Sequence, residues 1–195
     1  MELFTTPSDE AAADAAWDRL GLATDRPVVC LNTGGAFGPA KSWPNRYFAE
    51  LARRLVEEAG ASVLVVCGPG ERDSAREIVA KADHRRVVSL ADEPMSIGLT
   101  KACVRRSALM VTTDSGPRHF AAAFGVPVVS LFGPTHIAWT RTYHPHAIHL
   151  QQPVDCGPCQ KGVCPMGHHR CMIELSPQSV FAAAMRLLRK SEVRR

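Results

Sequence analysis

The stretch from Ala108 to Thr135, ALMVTTDSGPRHFAAAFGVPVVSLFGPT, decides the fold. Its apolar start, Ala108 to Val111, reads as a strand running into the turn-forming cluster Thr112-Thr113-Asp114-Ser115-Gly116. Pro117 then stands in the first turn of a helix, where its missing N–H has no partner to lose. Ala121, Ala122, Ala123 and Phe124 carry that helix to Gly125, a left-handed stop. Val126 to Phe132 reads as a second strand without polar alternation, as expected of a strand covered by helices on both sheet faces. A turn between a strand's carboxyl end and a helix is where open α/β sheets bind ligands.

The same alternation extends towards the N-terminus. The strands Val28–Asn32, Ser62–Cys67 and Val87–Leu90 are separated by amphipathic helical patterns over 44–59 and 71–82. A further helix begins near Met95 with Ser96 as its cap, and a helix over 5–20 precedes everything, opened by Thr6-Pro7 with Ala12, Ala16 and Leu20 on one face and Trp17 near its edge. The order β-α-β-α-β-α-β-α-β predicts a parallel sheet with right-handed crossovers and helices on both faces.

Three loops carry candidate chemistry, and all follow strands. The first, Thr33 to Pro44, holds Gly34, Gly35 and Gly38 with Lys41, glycines letting backbone approach an anion and a lysine supplying charge. It lacks the GxxxxGK spacing of a phosphate-binding Walker loop. The second places Glu71 just beyond a strand, either as a helix cap or as an acceptor for ribose hydroxyls. The third is Thr113 to His119. One sheet edge gathers all three, which strengthens each as part of a site.

Beyond Pro134 the pattern changes to an irregular connection over 135–143, a short strand near Ala147–Leu150, a segment 153–174 rich in Cys, Pro, Gly and His, and an amphipathic terminal helix from Pro177. Cys156, Cys159, Cys164 and Cys171, with His168 and His169 nearby, pose a choice between a tetrahedral zinc site and reduced thiols packing a loop; packing is the expectation, with no metal. Cys30, Cys67 and Cys103 lie in apolar segments and read as small buried hydrophobes.

Composition bounds the alternatives. The chain has 195 residues, 46% of them hydrophobic and 22% charged, enough for one ordinary domain with a core. No apolar run approaches the roughly 20 residues of a membrane span, and no secretory leader is visible, so the expected setting is cytoplasmic. The net charge of +4 is concentrated in the tail, Arg186, Arg189, Lys190, Arg194 and Arg195, read as a solvated helix end. Aromatic and basic residues do not interleave as on a nucleic-acid surface, and no nucleic-acid partner is expected.

Asp114 to Pro127 followed by Leu131-Phe132-Gly133-Pro134-Thr135 resembles the second-domain signature of the ADP-heptose:lipopolysaccharide heptosyltransferases, glycosyltransferase family nine. Gly35 to Pro44 is similar to a loop of the heptosyltransferase II subfamily, and Cys156 to Met172 to its C-terminal region. The resemblance implies the GT-B fold, two facing Rossmann-like domains, of which this chain is similar to the C-terminal, donor-binding half. Residues 1–25 would be a connector from a preceding domain, and 26–195 a single Rossmann-like, doubly wound domain. It implies ADP-heptose as donor substrate, with no cofactor, and a lipopolysaccharide core acceptor met through the other half, leaving peripheral contact with the inner face of the inner membrane open. Carried over by position, Lys41 would meet the diphosphate, Glu71 the ribose and Met95 the adenine. Thr33, Gly35, Asp114, Ser115, Gly116 and His119 would surround the phosphates and sugar. Asp114 suits sugar hydroxyls or the turn itself, since a carboxylate repels phosphate oxygens. The base that deprotonates the acceptor would lie outside this chain, which would bind ADP and transfer no sugar. Two alternatives stay open: a stand-alone nucleotide-binding module without catalysis, and a GT-B transferase using another nucleotide sugar.

Overall fold

A computed structural model describes residues 2–22, 25–35 and 37–192. Ala36 of the first loop and Arg194 and Arg195 of the basic tail therefore lie outside the described residues. The chain runs α1 (Pro7–Arg19), β1 (Val28–Asn32), α2 (Asn45–Ala59), β2 (Ser62–Val66), α3 (Arg72–Ala82), β3 (Val87–Ser89) and α4 (Ile97–Arg106). It continues through β4 (Leu109–Thr113), α5 (Pro117–Ala123), β5 (Val128–Phe132), α6 (Ile137–Thr140), β6 (Ala147–Gln151), α7 (Arg170–Ile173) and α8 (Pro177–Glu192). The six strands form one sheet in the order β3-β2-β1-β4-β5-β6, every pairing parallel. This α/β sheet is doubly wound.

The apolar runs explain the layering. Every residue of β1, β2, β4 and β5 is buried, because alternate side chains enter two separate cores. On one face α2, α3 and α8 cover Val29, Leu31, Val63 and Val65; on the other α1, α4 and α5 cover Cys30, Leu64, Val66 and Met110. Full burial of a side chain such as Leu64 stabilises the fold by about 1.5–3 kcal/mol.

Helix ends follow the punctuation in the sequence. Gly60 and Gly125 end α2 and α5 with φ of 66° and 71°, and the Ser96 hydroxyl accepts the Leu99 N–H to start α4. The buried face of α1 differs from the expected one: Ala13, Ala16 and Trp17 are buried, whereas Ala12 is exposed. Alanine marks no face by itself, and the large indole of Trp17 turns its own side, with Ala13 one turn before it, into the core. The connection after Pro134 contains the short α6, begun where the His136 ring accepts the Ala138 N–H. Ion pairs tie α1 to α4, with Arg106 at 2.6 Å from Glu10 and 2.7 Å from Asp14, and Lys101 at 3.4 Å from Asp9. No helix among the described residues is long and apolar enough to cross a membrane.

Candidate functional site

The chain leaves β1 for one face of the sheet and β4 for the other, so the carboxyl ends of these adjacent strands open a crevice. A cavity of about 510 Å³ occupies it, within the range of small-molecule sites. Asn32, Gly34 and Gly35 after β1, Cys67, Gly68, Pro69 and Glu71 after β2, and Ser115, Gly116, Pro117 and Phe120 after β4 line it. Met95, Ser96, Ile97 and Thr100 at the start of α4 close its far end.

Of the residues expected from the sequence, Gly35, Glu71, Met95, Ser115 and Gly116 therefore share one cavity. Thr33 lines an adjoining recess of about 520 Å³ that shares Gly34, Gly35 and Glu71 with the first. One Glu71 carboxylate oxygen accepts the Gly68 N–H at 2.6 Å, the capping role of its two readings, and the side chain lines the cavity. Its carboxylate lies over Gly34, where an added Cβ would displace it from its place beside Gly68.

Lys41, Asp114 and His119 are not among the lining residues. The Lys41 ammonium donates to the Asp114 carboxylate at 2.7 Å and to the Asp114 carbonyl at 3.0 Å, and lies 4.5 Å from the Phe37 ring centre. Asp114 is 4% exposed and does not cap α5; it fixes the turn instead. Its carboxylate also accepts from the Thr135 hydroxyl at 2.7 Å and the Thr140 hydroxyl at 3.4 Å, and pairs with Arg118 at 3.1 Å. Burial by itself raises the pKa of this carboxyl, but the Lys41 and Thr135 hydrogen bonds and the charges of Arg118 and Lys41 outweigh it. Asp114 is held below the ordinary carboxylate range. Burial, reinforced by the neighbouring Arg118 charge, lowers the pKa of His119 and favours its neutral ring, whose Nδ1 is buried without a hydrogen-bond partner.

Sequence reasoning missed Arg118 and Asn32. Arg118 is 1% exposed, donates to the Thr140 carbonyl and leaves Nε and Nη1 without partners. Its spacing of four from Asp114 was the available signal. The Asn32 amide donates to Ser115 Oγ at 2.8 Å, Thr112 Oγ1 at 3.1 Å and the Gly34 carbonyl at 3.3 Å, joining the first and third loops. A polar residue closing an otherwise apolar parallel strand was its signal.

Cys30, Cys67 and Cys103 are buried and unpaired, and desolvation pushes the first two thiols up to about 12 and about 11. They are inert packing groups, although Cys67 also lines the cavity.

The model of glycosyltransferase family 9 (heptosyltransferase) matches residues 3–170. This chain belongs to that family. It is 30% identical to lipooligosaccharide heptosyltransferase 2 of Campylobacter jejuni over 177 residues, 88% of this chain and 54% of that protein. It is 30% identical to lipopolysaccharide heptosyltransferase 2 of Escherichia coli K12 over 181 residues, 90% of this chain and 51% of that protein. The solved structure of E. coli ADP-heptose lps heptosyltransferase II superposes with a TM-score of 0.80 at 26% identity, over 98% of this chain and 54% of that one. The chain thus spans about half the length of the curated relatives it matches, and its doubly wound sheet is one that GT-B heptosyltransferases contain.

Proposed function

We propose that this chain is the donor-binding half of a heptosyltransferase, holding the ADP part of ADP-heptose for transfer to a lipopolysaccharide core. The observation that carries this reading is the cavity at the crevice between β1 and β4, where an apolar slot and an acidic ribose acceptor meet glycine-lined backbone. Met95, Ile97, Pro117 and Phe120 give the slot for a flat base. The Glu71 carboxylate accepts from the ribose hydroxyls beside it. Gly35, Ser115 and Gly116 let the diphosphate approach backbone closely, with Thr33 in the adjoining recess.

Lys41 would stabilise the negative charge that develops on departing ADP. Asp114 takes hydrogen bonds from two of the three ammonium protons' directions, at its carboxylate and carbonyl, which leaves donor capacity for a ligand oxygen. Asp114 is thus a positioning residue for Lys41, and Arg118 and Thr135 hold Asp114. Because its carboxylate is buried in that network, Asp114 is not the base that takes the acceptor proton. That base and the acceptor site belong to a second domain, for which α1 would be the connector, and the chain alone transfers no heptose. A cytoplasmic setting, with the acceptor reached at the inner face of the inner membrane, follows from this role. By the resemblance His119 would stand beside the phosphates and sugar, outside the lining of the cavity itself.

Calorimetry with ADP, UDP and GDP on the folded chain tests this reading. ADP should bind one to one and outcompete the others. Equal binding of all three favours another nucleotide sugar, and heptosyl transfer by the chain alone would refute the division of labour.

A further inference from the structure

The segment 153–174 has no part in the reading above, and its physics is unusual. None of residues 153–171 is buried, and α7 is its only regular element among the described residues. Connections this long without structure of their own are uncommon unless something ties them. Yet this one is ordered against the body of the domain: the Ala40 N–H donates to the Gly162 carbonyl at 2.9 Å, and the Gln160 N–H to the Pro134 carbonyl at 2.8 Å.

The four cysteines converge. Cys156, Cys159, Cys164 and Cys171, all free thiols, line a single cavity of about 20 Å³ together with His168, and Ala40 and Pro134 close it from the domain side. That volume holds about one water-sized body. His168 Nε2 lies 3.9 Å from the Cys156 sulfur, and the Gly167 N–H donates to the Cys164 carbonyl at 3.1 Å, which closes the turn between them. Gly133 leaves room for the Met172 side chain and the Cys171 sulfur, which an added Cβ there would crowd. Among the described residues the thiols do not yet stand at the spacing of a finished centre, so binding would draw them inward by side-chain shifts around the cavity.

We propose that Cys156, Cys159, Cys164 and Cys171 bind one tetrahedral transition-metal ion, zinc or iron being the ions that four thiolates select, as a clip that holds this loop to the donor site. Binding converts the four thiols to thiolates and releases their protons to solvent, with no change of oxidation state. Ala40 adjoins Lys41, and Pro134 adjoins Thr135, which bonds Asp114. The clip therefore sets the loops that place the Lys41 ammonium, a consequence that rests on the proposed donor site, whereas the metal site itself does not.

Elemental analysis of the full chain, purified without a metal-affinity step, tests the site directly. About one zinc or iron per chain is expected; iron would show visible thiolate charge-transfer absorption, and zinc none. Cobalt added to the stripped protein should give the intense absorption of a tetrahedral thiolate complex. Cys164→Ser and Cys156→Ser should each lose the metal, while Cys103→Ser keeps it. Less than about a tenth of an equivalent of either metal in folded protein, with no cobalt–thiolate bands, would overturn the proposal. So would disulfides among these four cysteines in freshly purified, alkylated protein. Stripping should also weaken ADP binding about tenfold. Full metal occupancy with no ADP binding at all would refute the donor site and leave the metal site standing.

Discussion

The parallel sheet and the segment 153–171 are neighbours built on opposite physics. In β1, β2, β4 and β5 every side chain is buried, so the hydrophobic effect fixes their position and register. In 153–171 no residue is buried, and the ties to the domain are a few backbone hydrogen bonds, a cluster of thiols and the buried Met172 that follows. The first region organises itself by pattern. The second depends on specific points, and it borders the loop that carries Lys41.

The largest expected effect falls on the sheet side, at the buried Asp114 carboxylate. Asp114→Ala leaves Lys41 and Arg118 without their shared carboxylate and should cost about 3–5 kcal/mol of stability. Denaturant unfolding measures this, and a loss below about 1 kcal/mol would mean that the buried network is not what fixes the turn.

Gly38→Ala acts at the seam between the regions. Gly38 has φ of 138°, and an added Cβ would stand 2.4 Å from the Gly162 carbonyl oxygen. Backbone on both sides must shift, at about 1–3 kcal/mol, and hydrogen exchange should quicken at 37–41 and 160–162 while the sheet stays protected. Uniform quickening across the sheet would contradict a local seam.

Acid should act on the sheet side with a smaller effect. Burial lowers the pKa values of His119, His144 and His149 below that of the unfolded chain, so the unfolded state binds more protons as pH falls through about 6.5. Stability should therefore decline from pH 7.5 to 5.5 in a series of thermal unfolding curves, and a rise would contradict the assignment. The smallest effect belongs to the loop's surface: Met166, 65% exposed, replaced by Ala should change stability by no more than about 0.5 kcal/mol.

The same contrast explains what could be read without coordinates. The sheet and its edge loops were legible because burial on two faces writes unbroken apolar runs, and Gly60, Gly125 and Ser96 punctuate them. Gly35, Glu71, Ser115 and Gly116 followed, since each lies just past a strand, whereas Met95 came only through the family resemblance. The face of α1 was right at Ala16 and off at Ala12, where Ala13 is buried instead, because alanines do not rank themselves against one another. The Lys41–Asp114 pair was not legible, because it forms in the space between loops 73 residues apart, and Arg118 left only its spacing of four from Asp114 as a signal. Thr135 and Thr140, which complete the Asp114 shell, carry no periodic signal at all.

The central claim is that the crevice between β1 and β4 holds an adenosine diphosphate, and calorimetric titration of the folded chain with ADP tests it most directly. Saturable one-to-one binding is predicted, weakened roughly 10- to 100-fold in Glu71→Gln through loss of a charged acceptor for the ribose hydroxyls. A folded chain that takes up no ADP, or one whose ADP affinity is unchanged by Glu71→Gln, would contradict it.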